Sequence, residues 1–159
     1  MTRKRQLNRA ITYGGIGAIA AILAFMVFLQ VEAARNTEFK KSIDKIAEDT
    51  IALTKEYQEE EGKWNKRQYD NSSMISVIDK YQPRYAELAD RAKALDSPDR
   101  YKLAKEYLIR SIESEMQSNQ HLLNYLTSGD PAEYEMSIDL FSKSLEYSAE
   151  YDAAIVAAG

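Results

Sequence analysis

The chain has 159 residues, 25 acidic against 21 basic, with no cysteine, three prolines and six glycines. The missing cysteines exclude disulfides, thiol catalysis, thiolate-bound zinc and lipoprotein attachment, so a fold must rest on a packed core. The acidic balance excludes a nucleic-acid surface, which needs a basic face. The scarcity of breakers, in a chain rich in Ala, Glu, Lys, Leu, Ser and Tyr, predicts an all-α protein.

Chain order begins with Arg3, Lys4, Arg5 and Arg9, followed by 22 uncharged residues from Ala10 to Val31. As a helix rising about 1.5 Å per residue, that run is roughly 33 Å long, enough for a bilayer core of about 30 Å. The basic flank keeps the N-terminus cytoplasmic by the positive-inside bias. The expected organisation is a basic cytoplasmic flank over 1–9, a transmembrane helix over 10–31, and an extracytoplasmic helical bundle over 32–159. The location that follows is the cell membrane, single-pass, with the bulk of the chain outside. A cleavable signal peptide is the rival reading, with Val31-Glu32-Ala33 as its processing site. Within the run, Gly14 with Ala18 and Gly17 with Ala21 are small residues four apart, the spacing that lets helices approach closely in lipid.

Beyond the run, Phe39, Ile43, Ile46, Thr50, Leu53 and Tyr57 recur at alternating spacings of four and three, the seam of a packed helix. With no breaker between, one helix is expected over about 10–61, stopped by Gly62. A polar connection leads to a second helix over about 72–95, with Met74, Val77, Ile78, Tyr81, Tyr85, Leu88, Ala92 and Leu95 facing inwards. Pro83 should kink or break it near Tyr81. Ser97-Pro98 then restarts the chain with a capping hydroxyl and a first-turn proline. The third helix runs to about Thr127, with Tyr101, Ala104, Leu108, Ile112, Met116, Leu123 and Leu126 as its apolar line. Gly129 ends it. Asp130 caps the fourth, with Glu133 placed to reach back as in a capping box. Phe141, Leu145 and Ile155 should be its buried face, flanked by Tyr134, Ile138, Leu140 and Tyr151. The short TSGD loop makes the last two helices an antiparallel hairpin within an up-down bundle of three to four helices.

The stretch from Leu95 to Tyr147 has a Leu-x-x-Pro start at Leu95-Asp96-Ser97-Pro98 and a Gly-Asp-Pro turn at Gly129-Asp130-Pro131. It resembles helical hairpins of exported or membrane-anchored prokaryotic bundle proteins of unassigned function. The resemblance implies a bundle outside the cell, no activity and no functional residues.

Candidate chemistry is sparse. His121 is the only histidine, and Ser118 stands where a di-iron bundle needs its Glu-x-x-His glutamate. There is no His-Glu-x-x-His, Gly-x-Ser-x-Gly, Ser-x-x-Lys or phosphate loop. Glu113 with Glu115, or Glu146 with Glu150, could form an acid–base pair, but a solvated acidic face is the simpler reading. No catalytic residue, metal ligand or cofactor is therefore expected.

Two hydroxyl-rich stripes stand out. Tyr107, Ser111, Ser114, Ser118 and Tyr125 share one face of the third helix. Ser137, Ser144, Ser148 and Tyr151 share one of the fourth. Facing each other, they would allow close helix contact or line a partner or ligand groove; otherwise they meet water. The leading functional reading is a non-catalytic, membrane-anchored interaction protein, an accessory subunit of a larger membrane complex. It would meet a protein partner or a second copy through the span and the bundle. The alternatives are an extracytoplasmic solute-sensing or solute-binding bundle and a pilin-like filament subunit.

Overall fold

The protein is described here by a computed structural model that covers the backbone of residues 2–158 and the side chains of residues 25–158. Four helices follow one another: α1 over Thr2–Asn65, α2 over Asn71–Ala94, α3 over Lys102–Ser128 and α4 over Pro131–Ala158. A 3₁₀ turn, Asp99–Tyr101, precedes α3. The chain divides into two units, Met1–Glu38 and Phe39–Gly159. The second is the all-α four-helix bundle.

The transmembrane expectation is corrected. Among the described residues, no helix is long and apolar enough to cross a membrane. A span needs about 20 consecutive apolar residues. Of the span expected over 10–31, residues 10–24 lie outside those whose side chains are described, and Phe25–Val31 is the part within them. The correction removes the signal-anchor, the single-pass location with an extracytoplasmic bulk, and the membrane as partner. It also removes the likeness to membrane-anchored hairpins and the three functional readings built on export. Gly14, Gly17, Ala18 and Ala21 lie outside the residues whose side chains are described.

In the bundle, α1 buries the expected stripe of Phe39, Ile43, Ile46, Thr50, Leu53 and Tyr57, together with Ala47. These meet Met74, Ile78, Tyr81, Tyr85, Leu88, Ala89 and Ala92 of α2, and Ala104, Leu108, Ile112, Leu122 and Leu126 of α3. Burying one such aliphatic or aromatic side chain contributes about 1.5–3 kcal/mol. Arg84 with Glu56 at 2.9 Å and Arg91 with Asp49 at 3.1 Å tie α2 to α1 along their outer edge.

Local signals were overruled where packing was at stake. α1 does not stop at Gly62 but continues to Asn65. Trp64 is thereby carried against Tyr125 and Tyr134, with ring centroids 6.4 Å from each. One interior glycine costs only about 1 kcal/mol. The turn falls instead at Arg67, a non-glycine with φ of 59°. α2 runs unbroken through Pro83. Asp70 caps it, accepting from the Ser73 amide at 2.8 Å. Ser97 caps no helix, since its hydroxyl donates to the Pro98 carbonyl and α3 starts after the 3₁₀ turn without a side-chain cap. Gly129 ends α3 with φ of 74°.

Candidate functional site

The fourth helix does not bury the face that its large residues mark. Ser137, Ser144, Tyr151 and Ala158, spaced by seven, point inwards. Ile138 is 49% exposed, Leu145 54% and Val156 79%, while Tyr134, Phe141 and Ile155 are half-buried. The cause lies on α3. Ser111 Oγ donates to the Ser144 carbonyl at 2.9 Å, and Ser118 Oγ donates to the Ser137 carbonyl at 2.8 Å. Hydroxyls reach a neighbouring helix backbone only where both side chains are small, so the serines draw α3 and α4 together and rotate the bulkier residues outwards.

Of the hydroxylated residues singled out above, Ser111, Ser114, Ser118 and Ser144 are buried, as is Tyr151, whose hydroxyl donates to Asp44 of α1 at 3.0 Å. Tyr107 is half-buried and stacks on Tyr147 at 6.3 Å, and Tyr125 is half-buried at 5.0 Å from Tyr134. Ser148 is half-buried. Burial of Tyr151 and the nearby Asp44 charge push its hydroxyl pKa well up, so it stays protonated. These groups form the α3–α4 seam and its ends.

α4 also carries an outward apolar stripe. Ile138 and Leu145 are two turns apart on one side of α4, and Val156 is five turns beyond Ile138. The contacts of Tyr151 with Asp44 and of Tyr134 with Trp64 set α4 antiparallel to α1. That register puts Ile51 of α1, itself 63% exposed, level with Leu145. The flank is acidic. Besides Glu133, which faces α3, α4 carries Glu135, Asp139, Glu146, Glu150 and Asp152 against a single Lys143. Glu133 does not cap its own helix through its side chain; it takes His121 Nδ1 at 2.6 Å and Asn124 Nδ2 at 3.0 Å. The His121 contact first, then Asn124, holds the Glu133 carboxyl below the usual carboxylate range.

A polar group that sequence reasoning missed lies in the interior. Glu115, only 3% exposed, accepts from Tyr85 Oη at 2.6 Å and from Thr54 Oγ1 at 2.8 Å. Tyr57 Oη and Asn119 Nδ2, in residues 4% and 3% exposed, have no hydrogen-bond partner. The sequence marks Glu115 as a candidate acid–base partner of Glu113, not as a buried group. The available signal was its position three residues after Ile112, on the inner face of α3.

Elsewhere, a groove of about 290 Å³ between α1 and α2 is floored by Leu53 and Leu88. Its two arginines are held by Glu56 and Asp49, and exposed pairs of this kind contribute little. Among the described residues, no three His, Asp or Glu side chains are grouped to hold a metal ion. No family model matches the chain, and neither the curated proteins nor the solved structures contain a match.

Proposed function

We propose that the bundle is a non-catalytic docking module that binds a basic amphipathic helix along the outer side of α4. One observation carries the reading: Ile138, Leu145 and Val156 form an exposed apolar stripe on the helix that bears six acids and one lysine. Apolar anchors seven and then eleven residues apart, each close to a whole number of turns, suit a helix lying alongside, which supplies its own side chains at matching turns. The acids select the charge of the rim, since opposite charge speeds encounter and like charge rejects wrong partners. Two copies meeting through α4 would bring acidic flanks together, so a second copy is disfavoured as the occupant.

The test uses a synthetic helical peptide of leucine and lysine, with a leucine–glutamate peptide of the same pattern as control, and fluorescence anisotropy. The lysine peptide should bind and the glutamate peptide should not. Leu145→Asp separates docking from mere charge attraction, because it removes an anchor while adding a negative charge. Weaker binding by about tenfold, the order of one buried aliphatic anchor, supports the reading. Unchanged or tighter binding overturns it.

A further inference from the structure

The core of the bundle contains a buried acid. Glu115 projects from α3 between α1 and α2, and its two oxygens meet only neutral hydroxyls, those of Tyr85 and Thr54. Among the described residues, no lysine, arginine or histidine forms an ion pair with it. From α1 come Thr54 and Tyr57, with Glu61 as the nearby second carboxyl. From α2 come Tyr85 and Tyr81, the latter edge-to-face with Tyr57 at 5.6 Å. On α3 itself Asn119 follows one turn later with its amide nitrogen unpartnered. The inward residues of α4 are Ser137, Ser144, Tyr151 and Ala158, of which only Tyr151 titrates, and it is bonded to Asp44.

We propose that Glu115 is a proton-binding site built into the core, and that losing this proton at higher pH weakens the packing of α1, α2 and α3. The step is a simple protonation: one proton from solvent forms an O–H bond on the carboxylate, and no electrons move. The 2.8 Å contact with Thr54 serves both states, because the threonine hydroxyl donates to the carboxylate or accepts from the carboxylic acid. Tyr85 donates to the other oxygen in either state.

The electrostatic surroundings agree. Burial raises the Glu115 carboxyl above its ordinary value, against the lowering effect of the Tyr85 and Thr54 hydrogen bonds, and the Glu61 charge adds to the rise. Burial raises Glu61 as well. Tyr57 and Tyr85 are pushed far up by burial and by the Glu115 charge, so neither gives up a proton in its place. An acid whose folded value lies above its unfolded value stabilises the fold fully below the unfolded value. That contribution is lost as pH rises through the folded value.

Thermal unfolding of the whole chain from about pH 5 to about pH 8 tests this, beside Glu115→Gln. Glutamine keeps an acceptor for Tyr85, supplies an N–H towards Thr54, and cannot ionise. Near pH 8 it should raise the midpoint by about 3 °C or more, and near pH 5 it should change little. A variant with the same pH slope as the parent, or one less stable near pH 8, overturns the proposal. Carbon-13 titration of the glutamate carboxyls in the unaltered chain is independent of the variant's folding. One or two glutamates should titrate above the ordinary range; none doing so also overturns it.

Discussion

The two halves of the bundle are held together in different ways. Between α1, α2 and α3 the contact is large and apolar: Ile43, Met74, Ile78, Tyr85 and Ile112 are 0–2% exposed and pack side chain to side chain. Between α3 and α4 the backbones come close through small polar side chains, with serine hydroxyls bonded to the opposite backbone. A core of large residues tolerates no loss of volume. A seam of small residues tolerates no gain. The second arrangement also leaves bulky residues of α4 unburied, so the way the helix is attached creates the surface that it offers.

The largest expected effect tests the first half of this contrast. Ile112→Ala should destabilise by about 2–4 kcal/mol in denaturant unfolding, the cost of a cavity in a packed core. If it costs less than Ser118→Ala, the apolar core is not the main support. Next comes the seam. Ser118→Leu forces bulk between α3 and α4 and removes the bond to Ser137, and should cost about 1–3 kcal/mol by overpacking. Ser118→Ala loses only the hydrogen bond, about 1 kcal/mol. A leucine better tolerated than alanine would mean that the helices are not closely apposed.

The polar interior allows a sharper pair. Tyr85→Phe leaves Glu115 short of a donor and should destabilise by about 1–3 kcal/mol. Tyr57→Phe removes a hydroxyl that has no partner and should be neutral or slightly stabilising. Equal losses for both would mean that Tyr57 is bonded in solution. The smallest effect belongs to the surface: Leu145→Asp should change stability by no more than about 0.5 kcal/mol, as exposed sites do.

Much of the bundle was legible in the sequence, because periodicity reports burial directly where side chains are large. The stripe from Phe39 to Tyr57 and the face from Met74 to Ala92 needed only spacing. α4 was harder, because it carries two competing stripes. Hydropathy favours Phe141, Leu145 and Ile155, but closeness of approach favours Ser137 and Ser144, and only the partner helix decides between them. The serines of α3 were visible; that their hydroxyls would bond the α4 carbonyls was not. Gly62 failed as a stop for a similar reason, since the gain from packing Trp64 is not local. Glu115 was legible as a candidate partner of Glu113 but not as a buried acid, because charge alone does not reveal burial. The span expected over 10–31 is corrected on the described residues, among which no helix is long and apolar enough to cross a membrane, while the side chains of 10–24 lie outside them.

The orientation of α4 is the central claim, and thiol labelling measures it directly, because the chain has no cysteine of its own. Single variants Ser144→Cys and Leu145→Cys place a thiol on adjacent residues that face opposite environments, 2% and 54% exposed. Leu145→Cys should react with a maleimide at close to the rate of a free thiol, and the leucine–lysine peptide should slow it. Ser144→Cys should resist labelling with and without the peptide, until the helix opens. Equal rates at the two positions, or faster reaction at position 144, would contradict both the serine seam and the docking face that depends on it.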